Sequence, residues 1–376
     1  MEPIGYRKDK AKEVLEARDI DLLIASTPVN VFYTTGLPVT HVAPNPILYV
    51  LKNQYPFLSM VKRNGNESAI VWSLYDSVEE FSWIDPSEVY RAGAADGAIK
   101  ILLNKIKEWD LTEKTIALES LMPRYQSEAL KNEFPDAKYV EGDKAFLDMR
   151  LVKTEEEIRR IKKSTEVAEK AIEACIEATE LDVKDTDLLK IARKTMIEEG
   201  AWGWDHLTMN IGPSDPEAPG LGIPVTPNDI VRFDFGAVWE GYISDVSRGV
   251  VIGEEPEKAK KAMDYMIQVQ EYCVDNIKPG IDPKKLADDA KSFLKELTRR
   301  GFYLITGHHI GLECEEAHMF GPMGAMDIPF EENMVLDIEV WLNVRGQGLV
   351  GIEDCYRVTN TGCERLSSLD KPTIVK

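Results

Sequence analysis

Acidic residues are poor strand formers, yet residues 231–251, VRFDFGAVWEGYISDVSRGVV, read as a Val/Ile/Phe/Tyr-rich hairpin with one aspartate in each strand, Asp234 and Asp245. A two-residue turn at Trp239–Glu240 would set the two aspartates directly opposite each other on one face. Carboxylates held side by side repel, and a cation between them is the simplest relief. Residues 334–359, MVLDIEVWLNVRGQGLVGIEDCYRVT, repeat the device: Glu339 and Glu353 would face each other around a turn centred on Gly346. Two such hairpins can make a cage of four carboxylates, and one added histidine makes it a two-metal site.

The remaining chain supports a duplicated scaffold around these hairpins. A capping box at Thr154/Glu157 opens a helix over 155–179 whose Ile158, Ile161, Thr165, Ala168, Ile172 and Cys175 share one face. A helix over 185–199, a strand over 206–211, a Pro/Gly-rich loop and the aspartate hairpin follow. The order then recurs: helices over 256–277 and 282–300, a strand over 302–306, the segment 307–320, and the glutamate hairpin. Such a repeat can bring the hairpins together about a pseudo-twofold axis. Residues 1–150 alternate strands (21–25, 47–51, 57–62, 69–72, 115–118, 138–140) with helices (9–19, 28–36, 97–109, 124–133), which predicts a mixed sheet with helices packed on it. No phosphate-binding glycine loop occurs there, and His41 is its only histidine. The domain division is therefore 1–150 and 151–376.

Gly307-His308-His309-Ile310-Gly311-Leu312 stands just before the glutamate hairpin, where His308 can reach the same centre. The order Asp, Asp, His, Glu, Glu, carried by FDFGAVWEGYISDVSRG, TGHHIGLE, MVLDIEVWL and GIEDCYRVT, resembles the pita-bread metallopeptidases. These are methionine aminopeptidase, aminopeptidase P and prolidase, with creatinase as a non-metal relative. The DMRLVK boundary and NVFYTTGL match the two-domain branch, so the resemblance spans essentially the whole chain. It implies an α+β protein: a creatinase/prolidase-like N-terminal α/β domain, then a pseudo-twofold pita-bread catalytic domain. It further implies two divalent ions (Mn, Co, Fe or Zn), held by Asp234, Asp245, His308, Glu339 and Glu353, with Asp245 and Glu353 bridging. A hydroxide between the ions would attack a small peptide bond, and Glu339 would take its proton and pass it to the leaving nitrogen. The branch is commonly dimeric, so a homodimer is expected.

Two departures bear on substrate. The peptidases of this group carry a histidine in the loop before the first aspartate, and 213–229 has none; they carry another seven residues after the metal histidine, where this chain has Glu315. Val340 and Gly351 replace a proline and an arginine common in the family. His206, His309 and His318 are candidates to fill the pocket role, and Glu315 could instead meet a cationic substrate group. The leading expectation is an Xaa-Pro dipeptidase or aminopeptidase-P-like hydrolase. The alternatives are an enzyme of this fold acting on a small non-peptide compound, of creatinase or ectoine-hydrolase type or a lyase, and a non-catalytic binding module.

The net charge of −20 argues against nucleic acid or an anionic membrane as partner. Five scattered cysteines without CxxC spacing suggest a reducing compartment, and the charged N-terminus lacks an apolar signal core. The expectation is a cytoplasmic protein acting on a small peptide or small molecule.

Overall fold

Hairpin geometry dominates the C-terminal half, and helices cover one face of the sheet it builds. The computed structural model describes residues 3–37, 56–72, 80, 82–213, 220–294, 302–324 and 326–376. The strand expected at 47–51, His41, the end of the helix expected to run to 300, and part of the 213–229 loop lie outside the described residues. Two compact units result, Met1–Leu151 and Val152–Lys376.

In the first unit, β1 (Leu22–Ala25), β2 (Leu58–Lys62), β3 (Ser68–Trp72), β4 (Val89–Arg91), β5 (Thr115–Leu118) and β6 (Lys138–Glu141) form a mixed sheet in the order β4-β3-β2-β1-β5-β6. β1 is antiparallel to β2 and parallel to β5. Leu22, Ile24, Met60, Val71 and Ile116 bury one face together with Leu102 and Ile106 of the helix Ala95–Glu108 and Leu130 of Arg124–Glu133. One helix was not foreseen: Asp143–Arg150 occupies the stretch that reads in the sequence as the approach to a boundary.

The second unit is built on β7 (Gly203–Ile211), β8 (Ile230–Trp239), β9 (Tyr242–Ile243), β10 (Val246–Val251), β11 (Tyr303–His309), β12 (Ala317–Phe320), β13 (Val335–Val344), β14 (Gly348–Val358), β15 (Cys363–Arg365) and β16 (Thr373–Val375). The main path runs β12-β11-β13-β14-β10-β8-β7. From the centre outward, β10-β8-β7 and β14-β13-β11 are the two repeats, joined at an antiparallel β10–β14 seam. The helix Glu155–Ala178 starts with the expected capping box and buries Ile158, Ile161, Thr165, Ala168, Ile172 and Cys175. With Leu188, Leu189 and Met196 of the helix Asp185–Glu198, this face packs on Phe233 and Phe235 of β8. Each fully buried side chain of this size stabilises by about 1.5–3 kcal/mol, so this layer fixes which face of β8 looks away from the helices. In the second repeat the helix Glu257–Asn276 occupies the equivalent place and donates a hydrogen bond from Gln270 to the Ile338 carbonyl of β13. Among the described residues no helix is long and apolar enough to cross a membrane.

Candidate metal centre

Strand alternation sorts every chemical residue of this sheet. Phe233 and Phe235 face the helices, so Arg232, Asp234 and Gly236 face the other side. In β13, Leu336, Ile338 and Val340 alternate with Asp337 and Glu339 in the same way. Register then aligns one row across six strands. Thr208 opposes Asp234, Asp234 opposes Ser247, Ser247 opposes Glu353, Glu353 opposes Glu339, and Glu339 opposes Thr306.

The glutamate pair is directly opposed, as expected. The aspartate pair is not. The turn falls on Glu240–Gly241, with φ of 46° and 90°, and not on Trp239–Glu240. A two-residue hairpin turn with both central residues at positive φ favours glycine in the second position, and Gly241 supplies it. The register therefore slips by two, Ser247 takes the place opposite Asp234, and pairing is interrupted at Ser244–Asp245 between β9 and β10. An even slip keeps Asp245 on the same face.

Ligand-capable atoms gather in overlapping groups: His206, Asp234 and Asp245; Asp245, His308 and Glu353; Asp234, Glu339 and Glu353; and Asp205, His206 and Cys314, each set within 4.8 Å. His308 is 1 % exposed, and its Nδ1 lies 3.2 Å from the Cys314 carbonyl oxygen. A carbonyl only accepts, so Nδ1 carries the proton. Burial lowers the His308 pKa, so the ring is neutral and its Nε2 lone pair points at Glu353 Oε1, 3.2 Å away. At this distance an imidazole lone pair and a carboxylate need a proton or a cation between them. Burial, together with Asp245, Glu339, Asp234 and Asp337, pushes the Glu353 carboxyl well above its usual range, the same strain seen from the other partner. The Asp245–His308–Glu353 end therefore fits a divalent ion. His206 adjoins it, with Nε2 3.1 Å from Asp245 Oδ1 and Nδ1 3.1 Å from Asp205 Oδ2. Although burial opposes its charge, Asp245 and hydrogen bonds to Asp205, Asp234 and Asp245 hold its pKa well above the usual value. Gly236 makes room for this ring: a Cβ there would lie 2.6 Å from both His206 Cε1 and the Ser244 carbonyl oxygen.

The opposite end is different. Arg232 Nη1 lies 2.7 Å from Asp234 Oδ2 and Nη2 lies 3.0 Å from Glu339 Oε1, in a side chain 3 % exposed. Despite burial, Asp234, Glu339 and Glu353 raise its pKa further, and Arg232 in turn holds the Asp234 carboxyl far below its usual range against the effect of burial. Arg232 thus lies across the Asp234–Glu339 end, where Asp234, Glu339 and Glu353 gather as a ligand-capable group.

Comparison with known proteins identifies the scaffold. A family model described as metallopeptidase family M24 matches residues 159–360, more than half of the chain, and the creatinase/prolidase N-terminal domain matches residues 7–152. The chain belongs to metallopeptidase family M24. It is 27 % identical over 379 residues to an Xaa-Pro dipeptidase of Pyrococcus horikoshii, covering 97 % of this chain and 99 % of that one. It is 26 % identical to an Xaa-Pro dipeptidase of Lactobacillus delbrueckii subsp. lactis, covering 96 % and 97 %. Among solved structures, the Bacillus anthracis Xaa-Pro dipeptidase superposes with a TM-score of 0.82 at 20 % identity over 98 % of this chain and 99 % of that one. The X-Pro aminopeptidase of Thermotoga maritima gives 0.79 at 22 % over the same shares. These two structures show a shared two-domain fold.

Within this M24 scaffold, the structure brings Asp234, Asp245, His308, Glu339 and Glu353 together, with His206 beside them. His318 pairs with His308 across β11–β12, ring centroids 6.2 Å apart, and its Nε2 lies 3.3 Å from Glu315 Oε2. Glu315 is half exposed at this rim. His309 does not join them. It opposes Leu336, so its buried ring projects to the helix-covered face, where Nδ1 meets the Val335 carbonyl and burial lowers its pKa to about 3. Sequence reasoning missed Arg232, Asp337, Asp205 and Cys314. An arginine two residues before a ligand aspartate in an apolar strand was the available signal for the first, because that spacing puts both on one face.

Proposed function

We propose that the protein is a metal-dependent Xaa-Pro dipeptidase, cytoplasmic and homodimeric, that uses Mn, Co, Fe or Zn. The convergence of five ligand-capable side chains, four from strands and Asp245 from the break between β9 and β10, on one face carries this reading. The names of the relatives that match the chain over nearly its full length support it. Asp245, His308 and Glu353 would hold a divalent ion, which when bound supplies a Lewis acid and lowers the pKa of water. The Cys314 carbonyl fixes the His308 tautomer, leaving Nε2 as the ligand atom. Glu339 would accept the proton of the attacking water and deliver it to the leaving nitrogen. His206, clamped between Asp205 and Asp245, would orient the substrate carbonyl in place of the family histidine that the loop lacks.

The test is hydrolysis of a panel of Xaa-Pro dipeptides, with Xaa-Ala controls, by chelated and metal-reloaded protein. Proline-selective turnover that requires metal and disappears in Asp245→Ala is the expected result; loaded protein that leaves every dipeptide intact would overturn it. Glu315 supports a second reading. It stands where the family's peptidases carry a histidine and is held at the rim by His318, so its negative charge could receive the cationic group of a non-peptide substrate. Glu315→His would then lower turnover of that substrate, whereas under the peptidase reading it would not lower dipeptide turnover.

A further inference from the structure

We propose that the protein holds a single divalent ion, at the Asp245–His308–Glu353 end, and that the guanidinium of Arg232 takes the place of a second ion at the Asp234–Glu339 end. The inference rests on the metal-dependent reading above and concerns how many ions that site takes.

Three observations carry it. Strand alternation commits the Arg232 side chain to the ligand face whatever its rotamer, because it stands two residues before Asp234 on β8. Its two terminal nitrogens reach carboxylates from opposite repeats, Asp234 of β8 and Glu339 of β13, which is where a cation common to both would lie. A guanidinium is always charged and presents a fixed fork, so it neutralises these carboxylates and occupies lone pairs that a metal would use. A divalent ion bound to the same two side chains would meet a like charge in a buried site, where screening is weak.

The third observation is an asymmetry between the repeats. The position two before the first ligand acid is Arg232 in one repeat and Asp337 in the other. Both face the site, at its two ends. Asp337 opposes His308 on β11 and Cys355 on β14, and it is fully buried. Apart from the Cys355 thiol beside it, no donor among the described residues reaches its carboxyl. One end thus carries a permanent cation across its carboxylates, and the other carries an extra buried acid, with the titratable His206 beside Asp245. Two equivalent ions would not call for opposite charges at equivalent positions.

The experiment measures metal content, independently of turnover. Chelated protein is reloaded with excess Mn(II), freed of unbound metal and assayed by elemental analysis, with the Mn(II) EPR spectrum recorded alongside. The wild type is expected to retain about one ion per chain with the hyperfine pattern of an isolated Mn(II), and Arg232→Val about two with an exchange-coupled spectrum. A wild type with two coupled ions would overturn the proposal while leaving the metallopeptidase reading intact. A folded Arg232→Val that still holds one ion would overturn the role of the arginine. A wild type that retains none would overturn both readings. The wild-type measurement stands alone if the variant does not fold.

Discussion

The two acid hairpins occupy equivalent places in the repeats and present their acids differently. In the glutamate hairpin the ladder runs unbroken from Val335 to Val344 against Gly348 to Arg357, and Glu339 faces Glu353 directly. In the aspartate hairpin the Glu240–Gly241 turn sets the register, pairing lapses at Ser244–Asp245, and the aspartates lie diagonally. The difference teaches that acids do not choose their own register in a hairpin; the turn does, and the site uses whatever face results. The lapse at Asp245 has a use, since it frees that carboxylate from a regular ladder position and lets it meet His206, Cys314 and the His308–Glu353 pair.

The comparison can be broken most severely at the ligand-capable acids. Asp245→Ala is expected to lower metal affinity and dipeptide turnover by at least about 100-fold, measured by metal titration and steady-state rates. Asp234→Ala, which also leaves a buried arginine with one partner fewer, is expected to cost several-fold less metal affinity. Equal losses would mean that the two aspartates serve one shared centre. Next comes the glycine that admits His206. Gly236→Val forces a side chain against the His206 ring and the Ser244 carbonyl, and is expected to destabilise by about 1–3 kcal/mol in urea unfolding. The turns give a smaller, matched pair. Gly241→Ala and Gly346→Ala each place a Cβ at positive φ, 90° and 81°, and should each cost roughly 1–2 kcal/mol. Only the first should also weaken metal binding, because only there does the turn set an interrupted ladder.

The smallest effect lies outside the hairpins. Burial raises the pKa of Glu157, against the opposing pull of Lys153 and its hydrogen bond from the Thr154 amide. A raised folded-state pKa means the native state favours the protonated form, so this group's contribution is greatest below the ordinary glutamate range. It declines as pH rises through the folded value. Glu157→Gln keeps a capping-box acceptor and should gain stability over the wild type at pH 7 relative to pH 4, read from paired denaturation curves. A wild type and variant with parallel pH profiles would remove the argument.

Much of this architecture is legible in the sequence, because helix faces and hairpins announce themselves through periodicity and glycine turns. Residues Thr115–Leu118 and Arg124–Glu133 form the expected strand and helix, and Thr154–Glu157 the expected capping box. The register of the glutamate hairpin was readable from its Arg345-Gly346-Gln347 loop. That of the aspartate hairpin lies two residues from the expectation, because the opposition of the two acids points to a turn at Trp239–Glu240 whereas the glycine at the second central position sets it at Glu240–Gly241. β12 lies in the segment 307–320, to which the sequence assigns no element: four residues, Ala317–Phe320, carry too little alternation to stand out, yet they bring His318 beside His308. His309 illustrates the converse. Its neighbour His308 made it a pocket candidate, but adjacent residues in a strand point to opposite faces.

Arg232 has one more consequence. The β10–β14 seam joins two halves of the unit whose paired residues, Ser247 and Glu353, are far apart in sequence, and it gathers like charges from both sides. Such a boundary closes late in folding, since long loops must order before it forms. By tying Asp234 of one half to Glu339 of the other, Arg232 acts as a stitch made of the chain itself. A chelator cannot remove it. The contact between the halves at this point is therefore expected to persist in metal-free protein.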